Sequence, residues 1–456
     1  MTYANAADKY INNHANATGT MVDDEGNYYY VSHPPLAYYF PYAVFKLLHI
    51  RPAVLPLQVF NMLFHLIAAL FVYFTVCLLS FNRARSYLHF PSLVAYTIYL
   101  FLPATLWFQG NVYMSDMAVH LPFVIGVYIT LKMIIRQKFY VPKYIFWYAL
   151  NLFIMLYTSW LGLFFVFGVV VYSLLHVRDT RGFRVLIWVS VLLAFFTIRL
   201  IIYQYSQING IEAYIHELFN RYLLRGSVGE LHEGFLHFLL SYFILFKNIL
   251  YNYLANYLPI YILLAGFVWI SITKAKLKIV FSGNGYRFLW LSILPIVLMH
   301  LVFLHYSSHD FTVLYASLFF SVLVGILYDK VKKAGVFSVK TINGLVLLTI
   351  AVLIGQFYIT NPPGSRSMAG VLYSTDQTIG NAIKTQTMAD EVVFMNLKAS
   401  PQTVFYAGRN ILQVGSKEEA MAFLKKRQIV RGAYFEITDD NSATPITKQE
   451  ILNLTP

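Results

Sequence analysis

The sequence predicts an all-α polytopic membrane protein, with about ten transmembrane helices and a small C-terminal α/β soluble domain. Of its 456 residues, 58% are hydrophobic and only 12% are charged, whereas a soluble protein of this size carries about 25% charged residues. Apolar runs recur along the chain, and many approach the roughly 20 residues that a membrane helix needs. These runs do not alternate apolar and polar residues, as the strands of a membrane β-barrel would.

Three regions follow from this pattern. Residues 1–55 are expected to form an outer loop of catalytic type with an interfacial helix. Residues 56–360 are expected to form the transmembrane domain, with interfacial helices around 206–250. Residues 361–456 have the composition of a soluble α/β domain, which we place on the outer face.

The predicted spans follow the apolar runs in order. They are 56–80, 89–108, 115–135, 143–157, 159–177, 185–205, 253–273, 288–306, 311–329 and 341–360. The segment Tyr157–Trp160 allows either two helices with a tight turn or one long, broken helix.

Charge sets the expected orientation. The net charge of +13 comes from lysine and arginine residues that are concentrated in alternate loops, which the positive-inside rule places in the cytoplasm. These basic residues are Arg83, Arg85, Arg136, Lys138, Lys143, Arg178, Arg181, Arg184, Lys274, Lys276, Lys278, Arg287, Lys330, Lys332, Lys333 and Lys340. Such a distribution indicates a membrane protein and no nucleic-acid partner. The single cysteine, Cys77, excludes an intrachain disulfide.

Two outer segments carry further expectations. Residues 206–250 mix charged and aromatic residues at helical spacing, which is typical of helices that lie on the membrane surface. Residues 1–20 have no apolar core, although an outer N-terminal segment normally follows a leading helix. We therefore expect one further transmembrane helix upstream of Met1.

The last region alternates strand and helix signals. Val392–Met395 and Gly432–Ile437 are predicted strands. Ser416 is a predicted N-cap, with Glu419 at the capping-box position of the helix that follows.

The predicted outer loops collect carboxylates and imidazoles, which suit general-base chemistry or cation binding. They are Asp23, Asp24, Glu25, His33, Asp116, His120, His305, His309 and Asp310. His33 opens a rigid His33–Leu36 turn with two prolines, directly before a long apolar run.

Several of these residues have a simpler explanation. Asp116 begins a helix, where it is either catalytic or favoured by the helix dipole. Arg199, Arg221 and Arg225 either hold a phosphate or extend to lipid headgroups. His305 and His309 are four residues apart, so they either bind a metal from a helix or belong to a polar turn. His120 is expected to be a core histidine that bonds to a carbonyl group.

A series of short motifs resembles the GT-C type membrane glycosyltransferases. The likeness is greatest to the protein O-mannosyltransferase superfamily and its bacterial relatives, which include the aminoarabinose transferases that modify lipid A. The motifs are Tyr3–Ala7, His33–Leu36, Ser115–Asp116, Tyr157–Gly162, His309–Phe311 and Phe405–Arg409.

The resemblance implies an inverting transfer of sugar from a polyprenyl-phosphate donor to an acceptor hydroxyl, at the outer face of the bacterial plasma membrane. Asp116 matches the carboxylate of the second outer loop in this family. The family's first-loop Asp-Glu pair would fall before Met1, so Asp24 and Glu25 are the candidates to replace it as the catalytic acid group. His33, Arg199, Arg221, Arg225, His309 and Asp310 are the candidate substrate-binding residues.

The implied partners are the lipid-linked donor, an acceptor glycan, lipid or protein, and membrane lipids. Some relatives use a divalent metal, for which His305 and His309 are the candidates here. Two other functions are compatible with the sequence: a transporter or flippase of lipid-linked sugars, and an inactive relative that binds such a lipid.

Overall fold

The computed structural model describes most of the chain. The described residues are 21–22, 28–29, 31–49, 54–81, 89–111, 113–178, 180–226, 234–273, 283–335, 337–360, 369–388, 390–397, 399, 401–409, 411–437 and 446–452. They fall into two compact units. The first unit comprises 1–46, 201–219 and 361–456, and the second comprises 47–200 and 220–360.

The helices of the membrane region are long and apolar. They are α1 (Leu36–Leu47), α2 (Val54–Phe81), α3 (Phe90–Phe101), α4 (Pro103–Asn111), α5 (Ser115–Ile135), α6 (Pro142–Thr158), α7 (Leu161–His176), α8 (Phe183–Gly226), α9 (Phe235–Thr273), α10 (Gly283–Val302), α11 (Leu304–Ser307), α12 (Ser317–Ala334) and α13 (Val339–Thr360). A 3-10 helix, Asp310–Ala316, joins α11 to α12.

Each of the ten predicted spans overlaps one or two helices, but fewer helices are long enough to cross a membrane. Among the described residues, seven have the length and composition of a span, or eight if the bent pair α3 and α4 is counted as one. The ten predicted spans exceed these eight by α6 and α7, which have only 17 and 16 residues. They are two separate helices, because Ser159 between them has an extended backbone.

The second unit is organised around α5 and α12. In each of these two spans, 72% of the residues in an 18-residue apolar stretch are buried, whereas the corresponding fraction in the other spans is 22–44%. Helix α5 packs against α2 and α6, and α12 packs against α3 and α9. Gly325 of α12 allows the close approach to α3, because a Cβ atom there would lie 2.8 Å from the carbonyl oxygen of Pro91.

The segment expected to form interfacial helices is helical over 206–226 and 235–250, and its place at the membrane surface stays a prediction. Helix α8 has 44 residues and is broken at Asn209–Gly210, where Gly210 has a φ of 85° that only glycine adopts easily. Helix α9 has 39 residues. At a rise of about 1.5 Å per residue, α9 is much longer than the roughly 30 Å hydrocarbon core, whereas the break divides α8 into two helical stretches.

The C-terminal residues form the predicted α/β domain. Its elements are α14 (Ala369–Gln386), β3 (Val392–Met395), α15 (Pro401–Ala407), β4 (Ile411–Gln413), α16 (Lys417–Arg427), β5 (Arg431–Phe435) and β6 (Lys448–Leu452). The strand order is β4-β3-β5-β6, parallel except for β6. A short antiparallel pair, β1 (Met21–Val22) and β2 (Tyr28–Tyr29), precedes the first helix.

The alternation of side chains along β3 explains the layers of this domain. Val393 and Met395 belong to a core with Ile383, and Phe394 belongs to a second core with Leu424. Helices therefore cover both faces of the sheet. The predicted cap is confirmed: Ser416 Oγ accepts a hydrogen bond from the Glu419 N–H at 3.3 Å, and the Glu419 carboxylate accepts one from the Gly415 N–H.

Candidate functional site

The candidate site begins at the first turn of α5. Asp116 is 1% exposed. Its Oδ2 accepts a hydrogen bond from Tyr306 Oη at 2.6 Å, and its Oδ1 accepts one from Tyr315 Oη. Among the described residues, no cation lies within ion-pair distance of this carboxylate. The tyrosine hydroxyls therefore provide the hydrogen bonds that a buried carboxyl group requires.

Asp116 lies in the first turn of α5, where the helix dipole favours a carboxylate. The helix N-cap is Met114, and it makes no side-chain capping bond. Both oxygens of Asp116 bond to hydroxyl groups of later segments instead of the N–H groups of its own helix. Asp116 thus bonds to two tyrosines without a capping hydrogen bond to α5, and both its catalytic role and its favourable place in the helix dipole stay predictions.

Tyr306 connects Asp116 to an arginine. The guanidinium of Arg225, in the last turn of α8, lies 5.3 Å from the centre of the Tyr306 ring, within the range of a cation–π interaction. Arg225 Nη1 also lies 3.5 Å from His309 Nε2. In the described part of the chain, Arg225 has no carboxylate partner, so its remaining N–H groups can bind an anion.

His309 completes this cluster. Its ring is stacked on Phe311, with centroids 5.5 Å apart. Burial, the neighbouring Arg225 and His305 together lower the pKa of His309. The ring is therefore neutral near pH 7, and Nε2 can accept a hydrogen bond from the Arg225 guanidinium.

A second set of hydrogen-bonded polar side chains lies in the same unit. His120, one turn after Asp116, is fully buried. Tyr99 Oη lies 2.9 Å from its Nδ1, and Ser317 Oγ lies 3.1 Å from its Nε2. The expectation of a core histidine is met, but its partners are two hydroxyl groups, not a carbonyl group.

The other predicted residues lie on several elements. His33 is buried before α1 in the first unit, where its carbonyl oxygen accepts a hydrogen bond from Tyr205 Oη at 2.8 Å. Arg199 is exposed on α8, and Arg221 is half-buried one turn before Arg225. His305 is exposed, and Asp310 is half-buried at the start of the 3-10 helix.

Asp24 and Glu25 lie outside the described residues. Their roles therefore stay predictions.

The predicted metal ligands do not fit a metal by themselves. The rings of His305 and His309 are 6.2 Å apart and nearly perpendicular. His309 Nε2 faces the Arg225 cation, which would repel a metal ion. Within the described ranges, no three His, Cys, Asp or Glu side chains come together as metal ligands. The metal stays a prediction.

Sequence reasoning did not identify Tyr306, Tyr315 or Ser317 as site residues. Tyrosines are frequent in this chain, which has 36 of them, so neither tyrosine was distinctive. One signal was available: both flank His309–Phe311, the turn that had been singled out as polar.

Two solved structures share this architecture. The first is ArnT from Cupriavidus metallidurans bound to undecaprenyl phosphate, with 12% identity and a TM-score of 0.60. The second is the same protein in the apo state, with 13% identity and a TM-score of 0.56. Each match covers 95% of this chain and 88% of the other.

No protein-family model and no curated protein matches the sequence. The assignment therefore rests on structure, and it concerns the fold. The long apolar helices are those of an integral membrane protein, and the fold is that of ArnT.

Proposed function

We propose that this protein transfers a sugar from a polyprenyl-phosphate donor to an acceptor hydroxyl, with inversion, at the outer face of the bacterial plasma membrane. The observation that carries this proposal is the match over 95% of the chain to ArnT bound to undecaprenyl phosphate. The anion-binding chemistry of the Arg225 cluster supports it independently.

Arg225 would bind the phosphate of the donor lipid. A guanidinium presents planar N–H donors that match phosphate oxygens. When the bond between the sugar and the phosphate breaks, negative charge builds on the departing phosphate. A fixed cation beside that phosphate stabilises the transition state more than the ground state.

Asp116 would act through Tyr306 as a positioning residue. It fixes the Tyr306 hydroxyl at 2.6 Å, and the Tyr306 ring lies under the guanidinium. A guanidinium held in place before the reaction does not have to be ordered during it.

The acceptor needs a base, and Asp24 and Glu25 are the proposed candidates. The carboxylate takes the proton of the acceptor hydroxyl while the acceptor oxygen bonds to the anomeric carbon. The bond from that carbon to the phosphate oxygen breaks, and the polyprenyl phosphate leaves with the electron pair. One displacement inverts the configuration at the anomeric carbon.

The test uses the full chain in vesicles with mannosyl- and aminoarabinosyl-polyprenyl phosphate as donors and a bacterial lipid extract as acceptor. Release of free polyprenyl phosphate, with sugar recovered in the extract, is the expected result. Movement of intact donor across the vesicle membrane without release would show a flippase. Binding without release would show an inactive relative.

Variants of the cluster test the assigned roles. We expect D116N and R225A to lower turnover by roughly 100-fold, the order seen when a transition-state stabiliser is removed. Because Asp116 acts through Tyr306, the double variant D116N/Y306F should be no slower than D116N alone. The matched control is D329N, since Asp329 pairs with Lys333 on α12 outside the cluster.

Full turnover in D116N would remove Asp116 from the site. Independent, multiplying losses in D116N and Y306F would contradict the positioning role. In E25Q and D24N, loss of turnover with unchanged donor binding would identify the base.

A further inference from the structure

A second concave site lies at the opposite end of α5 from Asp116. It is a groove of about 550 Å³ between α2, α5 and α6, and we call it the basic-end groove. Most of its lining is apolar and aromatic, and two lysines, Lys132 and Lys143, lie at one end. The apolar lining includes Phe71, Ile125, Ile129, Trp147, Leu150 and Ile154.

The two lysines provide a cationic end to an apolar channel. Lys132 is in the last turn of α5, and its ammonium lies 5.2 Å from the Tyr128 ring and 5.6 Å from the Tyr144 ring. Lys143 is exposed in the first turn of α6. In the part of the chain that the structure describes, neither lysine pairs with a carboxylate. Both ammonium groups can therefore bind an anion.

The position of the groove indicates which side of the membrane it serves. Arg136 and Lys138 follow Lys132 in the short connection between α5 and α6, and the positive-inside rule assigns such a connection to the cytoplasm. Trp147 is 49% exposed, so the groove is open toward the surroundings of the helices, which is lipid in a membrane.

The length of the groove selects the kind of lipid. Lys143 and Ile154 are eleven residues apart on α6, which is about 16 Å at a rise of about 1.5 Å per residue. This distance is half of the roughly 30 Å hydrocarbon core, or one leaflet. An acyl chain of a bilayer phospholipid fits that length, whereas a long polyprenyl tail exceeds it.

We propose that the basic-end groove binds an anionic phospholipid of the cytoplasmic leaflet. The headgroup phosphate bonds to Lys132 and Lys143, and an acyl chain lies along Ile129, Trp147 and Ile154. Basic pockets between helices on the cytoplasmic side are the usual sites for such headgroups. This proposal does not depend on the proposed sugar transfer, because it concerns other residues and another lipid.

The test measures fluorescence of Trp147 in the full chain, reconstituted in vesicles with brominated lipids that quench nearby tryptophans. The signal of Trp147 is the difference between the protein and its W147F variant. We expect brominated phosphatidylglycerol to quench this signal more strongly than brominated phosphatidylcholine at equal mole fraction.

The lysines should account for that preference. K132A and K143A are each expected to reduce the relative affinity for phosphatidylglycerol about fivefold, which corresponds to about 1 kcal/mol per lysine. The matched control is K138A, which removes an exposed charge from the same connection but not from the groove. K132R should retain most of the preference.

Three outcomes would overturn the proposal. Equal quenching by the two lipids would show no anionic site, and an equal loss in K138A would show general attraction to the surface. Displacement of the brominated lipid by polyprenyl phosphate but not by unlabelled phosphatidylglycerol would assign the groove to the donor lipid. The thermal unfolding midpoint of each lysine variant in detergent is measured as well. An unchanged midpoint shows that the variant is folded, so that a change in quenching is not due to misfolding.

Discussion

Individual charged residues have very different roles in the two units. In the membrane unit, Asp116 is buried with hydroxyl partners and has no described cation beside it. In the C-terminal domain, Glu391 forms an ion pair with Lys448 at 2.6 Å, and their side chains are 5% and 11% exposed. The first carboxylate organises a candidate site, and the second joins β6 to the sheet.

The Glu391–Lys448 pair makes the stability of this domain depend on pH. Burial opposes ionisation of Glu391, but the hydrogen bonds from Lys448 and the Met388 N–H outweigh it and lower its pKa. Burial likewise opposes the charge of Lys448, but the hydrogen bonds to Glu391 and Glu450 raise its pKa. Glu391 therefore stabilises the fold above about pH 4, and that contribution is lost as the pH falls. The contribution of Lys448 is present below about pH 10 and is lost as the pH rises.

Hydrogen exchange of the β6 amides, corrected for intrinsic rates, would measure this dependence. We expect E391Q to remove the acid-side loss and to cost about 1–2 kcal/mol at neutral pH. E450Q is the control, because Glu450 is 66% exposed, and such pairs contribute little. An unchanged pH profile in E391Q would show that the pair does not stabilise β6.

The contacts of a single residue could be predicted from the sequence only where its partners are close to it along the chain. Ser416 and Glu419 were identified as a cap because both partners lie within four residues. Asp116 was identified as a candidate, but its partners Tyr306 and Tyr315 are 190 and 199 residues away. No local pattern contains such contacts, since they arise only when α11 and the 3-10 helix pack against α5.

At the scale of elements, apolar runs predicted where helices occur but not how they are broken. All ten predicted spans are helical, because length and composition are sufficient to identify them. The predicted span 185–205 ends close to the break in α8 at Asn209–Gly210, but the glycine itself gave no signal, since a single glycine within a long helical pattern is common. The connection between α6 and α7 was left open, and the extended backbone at Ser159 decided it.

Close helix packing makes Gly325 a sensitive position. We expect G325A to lower the thermal unfolding midpoint, because the added methyl group would collide with the Pro91 carbonyl group. The matched control is G344A in α13, where an added Cβ meets nothing within 4 Å. That variant should gain up to about 1 kcal/mol from helix propensity. Equal midpoints for the two variants would show that α3 and α12 are not tightly packed.

At the scale of the whole molecule, the charge distribution predicts the orientation in the membrane. Because Cys77 is buried and is the single cysteine, a C77A background allows one cysteine at a time to be labelled. With an impermeant maleimide, K425C in the C-terminal domain should react in intact bacterial cells. K138C should react only in inverted vesicles. Labelling of both positions from the same side would contradict the assigned orientation.

The distance along the chain between Asp116 and its partners has a consequence for biosynthesis. Tyr306 is made 190 residues after Asp116, which is roughly 10–40 s at about 5–20 residues per second. During that interval the carboxyl group lacks the hydrogen bonds from Tyr306 and Tyr315 that it has in the folded chain. The candidate site can therefore form only after α11 and the 3-10 helix have been synthesised.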